Sequence, residues 1–260
     1  MITGASAGIG SELARAVAPK VRRLVLVARR TDRLEELANE LRDASKVEVF
    51  TAAVDVTSPD GVETMLSDLD RNGVAVDILV NNAGVGEAEL FERSPWSRIE
   101  GIVDVNITAL LRLTRQLLPP MVARGHGAIL NIGSGAGYAA MPNAAVYTAS
   151  KHFVRAFTES LRAQLDGTGV FVCEAAPGPV ESEFDRVAGI EGGATPGQRA
   201  LRISSHECAA DIVRQFERKT PTIFPGRNHR RLMRLAAIVP RSVFVGQLVK
   251  EARRLRAPTA

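Results

Sequence analysis

Apolar residues in this chain gather into short, β-branched-rich runs, separated by longer stretches in which they recur every three or four positions. That alternation is expected of strands joined by crossover helices. The runs fall at residues 1–3, 24–28, 47–54, 78–81, 128–132, 171–175 and 222–224. Helices are expected over 8–18, 32–44, 59–72, 95–123, 144–165 and 206–219. Strands that alternate with helices enter a parallel sheet covered on both faces. The pattern therefore predicts a doubly wound α/β fold with a mainly parallel seven-stranded sheet. No internal repeat or low-complexity tract interrupts it, and the glycine-rich segment 191–197 reads as a mobile loop.

The first strand is short for the centre of such a sheet. Only Met1 and Ile2 precede Thr3, which raises the expectation that further apolar residues belong ahead of Met1. With 260 residues, 45% of them hydrophobic and 24% charged, the chain has the makings of one soluble globular domain with a full core. Met1 leads straight into a glycine-rich loop rather than a basic and then apolar leader, so a cytoplasmic location is expected. The uncharged stretch 127–150 is long enough to span a bilayer, but Asn131, Ser134, Pro142, Asn143 and four glycines argue against it. Cys173 and Cys208 suit neither a metal site nor a disulfide framework and read as reduced core residues. His126, His152, His206 and His229 lack partners at metal-ligand spacing and read as surface or satisfied residues, so no metal is expected.

Charge changes the picture at one end. The net charge is +4, yet from Arg214 onward twelve Lys or Arg face two Glu, which leaves the preceding part acidic. Residues 1–226 are accordingly read as the domain and 227–260 as a basic amphipathic extension. Leu232, Leu235, Ala236 and Val239 form one stripe beside Arg230, Arg231 and Arg234. Val245, Leu248, Val249 and Ala252 form another, flanked by Lys250, Arg253 and Arg254. Basic amphipathic helices lie on anionic membrane surfaces, or they cover a substrate pocket or a neighbouring subunit. Burial against protein is the favoured reading, with peripheral membrane association as the alternative; no nucleic-acid partner is expected.

The chemistry concentrates in Tyr147-Thr148-Ala149-Ser150-Lys151 and Ser134. Residues four apart share a helix face, so Lys151 is expected to hold its charge near the Tyr147 hydroxyl and favour the phenolate, with Ser134 as a hydrogen-bond donor. Taken alone, Tyr-x-x-x-Lys is as well explained as a surface pair. At the other end, Thr3-Gly4-Ala5-Ser6-Ala7-Gly8-Ile9-Gly10 follows a strand and opens a helix. Gly4, Gly8 and Gly10 would let the backbone approach a pyrophosphate at the helix N-terminus. At the end of the second strand, Ala28 stands where an acidic residue would favour NAD, and Arg29, Arg30 and Arg33 follow. With Ser6, these suit a 2'-phosphate and favour NADP, against the plainer reading of a solvated helix start.

With Asn81-Asn82-Ala83-Gly84 and Asn106 between them, these motifs run in the order found in the short-chain dehydrogenase/reductase family, and the chain resembles the family's single-domain Rossmann branch over residues 1 to about 226. The resemblance implies an oxidoreductase that interconverts a carbonyl and an alcohol with NADP(H). In this picture Tyr147 is the general acid/base, Lys151 lowers its pKa and orients the ribose, Ser134 holds the substrate oxygen, and Asn106 completes a proton relay. It also implies cofactor contacts from Ile9, Asp55, Val56, Asn82, Ala83, Gly84, Pro177, Gly178, Val180 and Ser182, with a turn carboxylate as the alternative reading of Asp55. Tyr138, Met141, Phe184 and Val187 would line the pocket, which suggests an apolar, lipid-, ketoacyl- or steroid-like substrate. A homo-oligomer is implied as well. The rival readings are a catalytically silent NADP-binding sensor or scaffold and a peripheral membrane protein with secondary reductase activity.

Overall fold

The computed structural model describes residues 1–189 and 200–236, with 246, 248–250, 252, 253 and 256 beyond them. The expected loop 191–197 and the stripe residues Val239 and Val245 lie outside the described residues. The main sheet is built from β1 (Ile2–Thr3), β2 (Arg23–Ala28), β3 (Glu48–Ala53), β4 (Ile78–Asn81), β5 (Gly127–Ile132), β6 (Val170–Ala175) and β9 (Thr222–Ile223). Its order is β3-β2-β1-β4-β5-β6-β9, and every pairing is parallel. This is the doubly wound arrangement the apolar runs predict, with the direction of winding reversing between β1 and β4.

Because both faces are covered, alternate residues of a strand feed two cores. Leu24, Leu26 and Ala28 of β2 join one cluster with α1 (Gly8–Val17), α2 (Thr31–Ala44) and α8 (Ser205–Glu217). Val25 and Val27 point the other way, toward α3 (Pro59–Arg71), α5 (Leu110–Arg124) and α6 (Ala145–Gln164). Local signals set the helix ends. Ser58 caps α3 by accepting from the Gly61 N–H at 3.1 Å, with Pro59 in the first turn, and α5 stops at Gly125, whose φ of 69° is left-handed. β1 is only two residues long but sits at the centre, and Met1 extends its ladder by accepting from the Val80 N–H at 2.9 Å.

Three features differ from expectation. The single helix expected over 95–123 is α4 (Trp96–Val103), a π-helical turn (Asp104–Ala109) and α5 in succession. A second, two-stranded sheet pairs β7 (Val180–Glu181) with β8 (Ile203–Ser204), and a four-residue helix, α7 (Phe184–Val187), lies between them in sequence. Elements this short carry no legible period. The extension begins with α9 (Arg227–Ala236), which is joined to the core. Asp211 of α8 accepts from the Gly226 N–H at 2.9 Å and from Arg230 Nη2 at 2.6 Å, and Arg214 also pairs with it. His229 is buried on this helix with Nε2 bonded to the Ala176 carbonyl, whereas Leu232 and Leu235 of the expected stripe are 45% and 61% exposed. Among the described residues no helix is long and apolar enough to cross a membrane.

Asp211→Ala removes the acceptor of a buried backbone N–H, so it should lower stability by about 1–3 kcal/mol. Denaturant unfolding with intact far-ultraviolet dichroism checks this. A loss below ~0.5 kcal/mol would mean that α9 is held elsewhere.

Candidate active site

At the C-terminal edge of the sheet, the turn from β1 into α1 has no space for a Cβ at Gly4 or Gly10. Gly4 and Gly8 adopt φ of 64° and 59°, in the left-handed region that disfavours any residue with a Cβ. A Cβ on Gly10 would lie 2.3 Å from the Gly4 carbonyl oxygen and 2.5 Å from Asn82 Nδ2. Ile9 packs against the core from the same turn. Ala7, the residue before α1, contributes no side-chain cap, and the first turn holds no acidic residue. The helix thus opens with free N–H groups and an uncompensated positive dipole end, the arrangement that suits a pyrophosphate. Asn82 fixes the loop: its Nδ2 donates to the Thr3 and Gly4 carbonyls at 2.9 and 3.2 Å. Thr3 Oγ1 in turn accepts from the Asn82 and Ala83 N–H groups at 3.0 Å each.

At the end of β2, Arg30 donates through Nε and Nη2 to Ser6 Oγ at 3.2 and 3.1 Å. Arg30 and Arg33 both bind the Glu183 carboxylate, at 2.9 Å in each case. Arg29 is 72% exposed and 3.9 Å from Asp55, so the guanidinium pair nearest the glycine loop is Arg30 with Arg33. Asp55 accepts from Thr57 N and Oγ1 at 2.9 and 2.8 Å; burial would raise its pKa, but these bonds and the nearby Arg29 hold it below the ordinary value. Val56 is buried beneath it. A recess of ≈ 330 Å³ opens between α1 and α2 beside Ser6 and Arg33, with Glu36 and Glu40 on its far rim.

Tyr147 and Lys151 lie on α6, one turn apart, and Ser134 follows β5. Burial holds the Tyr147 phenol above its ordinary pKa, and the neighbouring Ser134 hydroxyl, whose Oγ accepts from the Ala136 N–H at 3.1 Å, opposes that shift without reversing it. Lys151 Nζ sits 5.8 Å from the centre of the Tyr147 ring and donates to the Ile132 carbonyl at 3.0 Å. Burial pushes the Lys151 ammonium down to about 8, partly offset by Glu174. Asn106 is in the π turn. Its Nδ2 donates to the Val85 carbonyl and to Ser150 Oγ, and its Oδ1 accepts from the Val85 N–H, all at 2.9 Å. Its amide is therefore committed to positioning the segment after Gly84, whose α-carbon faces both Asn106 and Lys151.

Beyond β6, the Pro177 carbonyl accepts from the Gly135 N–H at 2.7 Å, tying this turn to the one after Ser134. Val180 is buried in the small sheet, and Ser182 Oγ accepts from the Phe184 N–H at 3.3 Å with its Cβ against Gly8. Phe184 packs on Tyr147 with centroids 5.6 Å apart. Val187 is exposed, and Tyr138 is turned away from its expected pocket position, donating to Glu174 Oε2 at 2.8 Å and packing on Phe224.

Sequence reasoning missed two residues at the back of the site. Glu174 is buried in β6, and burial pushes its carboxyl up to about 7; its position as the one charge in an otherwise apolar run was the available signal. His229 reaches in from α9, contacts Gly135 and Gly178, and bonds the Ala176 carbonyl through Nε2 at 3.1 Å, with Nδ1 buried and unpartnered. Among the described residues, no three His, Cys, Asp or Glu side chains cluster as a metal site would require.

A family model described as short chain dehydrogenase matches residues 1–189. The chain belongs to the short-chain dehydrogenase/reductase family of oxidoreductases. It is 41% identical to sulfoacetaldehyde reductase 2 of Chromohalobacter salexigens, over 72% of this chain and 74% of that protein. It is 39% identical to the NADP-dependent 3-hydroxy acid dehydrogenase of Escherichia coli, over 72% and 75% respectively. A short-chain dehydrogenase from Sphingobium yanoikuyae solved in complex with NADPH superimposes with a TM-score of 0.80 at 31% identity, covering 100% of this chain and 97% of that one.

Lys151 binds its proton less tightly folded than unfolded, so its charge opposes folding below pH ~8, and the penalty fades as pH rises toward ~10.5. Lys151→Met should therefore stabilise the cofactor-free protein at pH 7 by up to about 3 kcal/mol, and by less at pH 9.5. Urea midpoints at the two pH values check this; a gain that is absent, or that grows with pH, would contradict the assignment.

Proposed function

We propose that the protein interconverts a carbonyl and an alcohol with NADP(H), using Tyr147 as general acid/base. The observation that carries this reading is the meeting of Ser134, Tyr147 and Lys151 beside a glycine turn with no room for a Cβ. The α1 N-terminus would receive the pyrophosphate, and Arg30, Arg33 and Ser6 the 2'-phosphate. The NADPH-bound relative and the NADP-dependent relative support the cofactor choice. When bound, the nicotinamide supplies or accepts hydride.

The chain's own residues handle the proton and the geometry. Ser134 orients the reacting oxygen and the Tyr147 hydroxyl together. Tyr147, kept protonated by burial, is matched to donating a proton to a developing alkoxide. Lys151, its ammonium pushed down to about 8 by burial, would orient the ribose, and Asn106, bonded to Val85 and Ser150, would complete the proton relay. The Phe184 ring beside Tyr147 favours an apolar carbonyl compound of lipid, ketoacyl or steroid type. The names of the relatives favour a second reading, a small acidic aldehyde or ketone. A screen of NADPH oxidation against both classes separates the two. The exposed Leu232 and Leu235 would serve an interface with a second subunit, or membrane contact as the alternative; sedimentation and liposome flotation distinguish them.

Tyr147→Phe should reduce turnover by about 100- to 10,000-fold, as expected for loss of a general acid, while NADPH affinity stays within threefold. Single-turnover kinetics and fluorescence titration check this, and activity near that of the wild type would remove Tyr147 from the mechanism. Arg30→Ala with Arg33→Ala should weaken NADPH relative to NADH by about 10- to 100-fold, the loss expected for charge-assisted contacts. An unchanged ratio of catalytic efficiencies for the two cofactors would refute the phosphate site.

A further inference from the structure

Three consecutive residues touch three separate parts of the site. Ser182 lies against Gly8 of the glycine turn, Glu183 against the arginine pair, and Phe184 against Tyr147. Glu183 accepts from Arg30 Nη1 at 2.9 Å and from Arg33 Nη1 through both oxygens, at 2.9 and 3.0 Å, with Arg186 a further 3.5 Å away. Those bonds hold its carboxyl below the usual carboxylate range. The same Arg30 guanidinium bonds Ser6 Oγ, so one anion already completes a bidentate arginine and hydroxyl cradle. Phe184 packs on Tyr147 with centroids 5.6 Å apart and also against Gly86, where a Cβ would meet its ring at 2.6 Å.

We propose that Glu183 occupies the place of the cofactor's 2'-phosphate and acts as a latch. A 2'-phosphate displaces the carboxylate from Arg30 and Arg33, and the freed segment lifts Phe184 from Tyr147. This rests on the NADP reading above and adds to it a specificity residue that couples cofactor charge to access at the proton donor. A cofactor without the phosphate carries no anion to exchange at this point, so it leaves the latch shut. Among the described residues the segment is also tied by Arg202 to Asp185 at 2.7 Å, by Arg98 to the Val187 carbonyl at 3.0 Å and by the Phe184 N–H to Ser182 Oγ at 3.3 Å. The Asp185 and Val187 ties lie on the side of Phe184 away from the arginine pair, and Glu183 is the contact to that pair itself.

The test uses adenosine 2',5'-bisphosphate and 5'-AMP, two probes that differ in the 2'-phosphate, bound to the wild type and to Glu183→Gln in calorimetry. The wild type should prefer the bisphosphate. Glu183→Gln should bind it about three- to tenfold tighter, the effect of removing a competitor held by two partly exposed ion pairs, with 5'-AMP unchanged. Hydrogen exchange at residues 184–188 should be faster in unliganded Glu183→Gln than in the unliganded wild type. If the wild type shows no preference for the bisphosphate, the NADP reading itself fails. If that preference holds but Glu183→Gln binds the bisphosphate no tighter, gains equally for 5'-AMP, or leaves the exchange unchanged, the latch is overturned.

Discussion

The structure depends on one close approach, that of the end of β1 to the end of β4. Thr3 Oγ1 takes the N–H groups of Asn82 and Ala83, and Asn82 returns two hydrogen bonds to the Thr3 and Gly4 carbonyls. Polar groups buried at a sheet edge must find partners, and here they find them in each other, so two strand ends of different crossover units become one rigid corner. The glycine turn is shaped by that corner, because Gly10 has no volume left beside Asn82. Two residues further on, Gly84 faces Asn106 and Lys151, so the same corner also sets where the lysine comes to rest. A strand of two residues can serve as the centre of the sheet because side-chain hydrogen bonds replace the ladder it lacks.

Behind that corner the electrostatics are unusual for a protein interior. Lys151 and Glu174 are both buried, and each is shifted toward neutrality by loss of water, the base downward and the acid upward. Neither makes a close ion pair with the other. Lys151 is held by a carbonyl and Glu174 by the Tyr138 hydroxyl, whose ring carries Arg155 at 4.1 Å. Burial thus sets the direction of both shifts, favouring the neutral form in each case, and at Glu174 the Tyr138 hydrogen bond opposes it. Tyr147 follows the same rule, since Ser134 opposes the burial shift without reversing it.

The architecture was legible in the sequence wherever an element was long enough to have a period. β2 through β6 read as apolar runs because both faces of a parallel sheet are covered. β7, β8 and α7 did not, since two to four residues cannot display alternation. The site divides similarly. Ser134, Tyr147, Lys151 and the glycines announce themselves by spacing, whereas Glu183, Glu174 and His229 matter through partners 150, 36 and 53 residues away. Asn106, an amide in a helix interior, marked a position that needs a specific partner, but its residue type did not show that the helix itself would change its winding there.

That change of winding fixes the helix's phase. An α-helix advances about 100° per residue, and a π turn accommodates one residue more than a regular turn would. On one side of Asp104–Ala109, Ile99 and Ile102 face inward; on the other, Leu110, Leu113, Leu117 and Met121 do. Removing a single residue from the wide turn would restore regular geometry and rotate the whole of α5 by roughly one residue's angle relative to α4. Either the apolar row of α5 would leave the sheet or α4 would leave the site. The segment that holds Asn106 is therefore a reading frame for the fold, tolerant of substitution at its exposed positions and intolerant of any change in length.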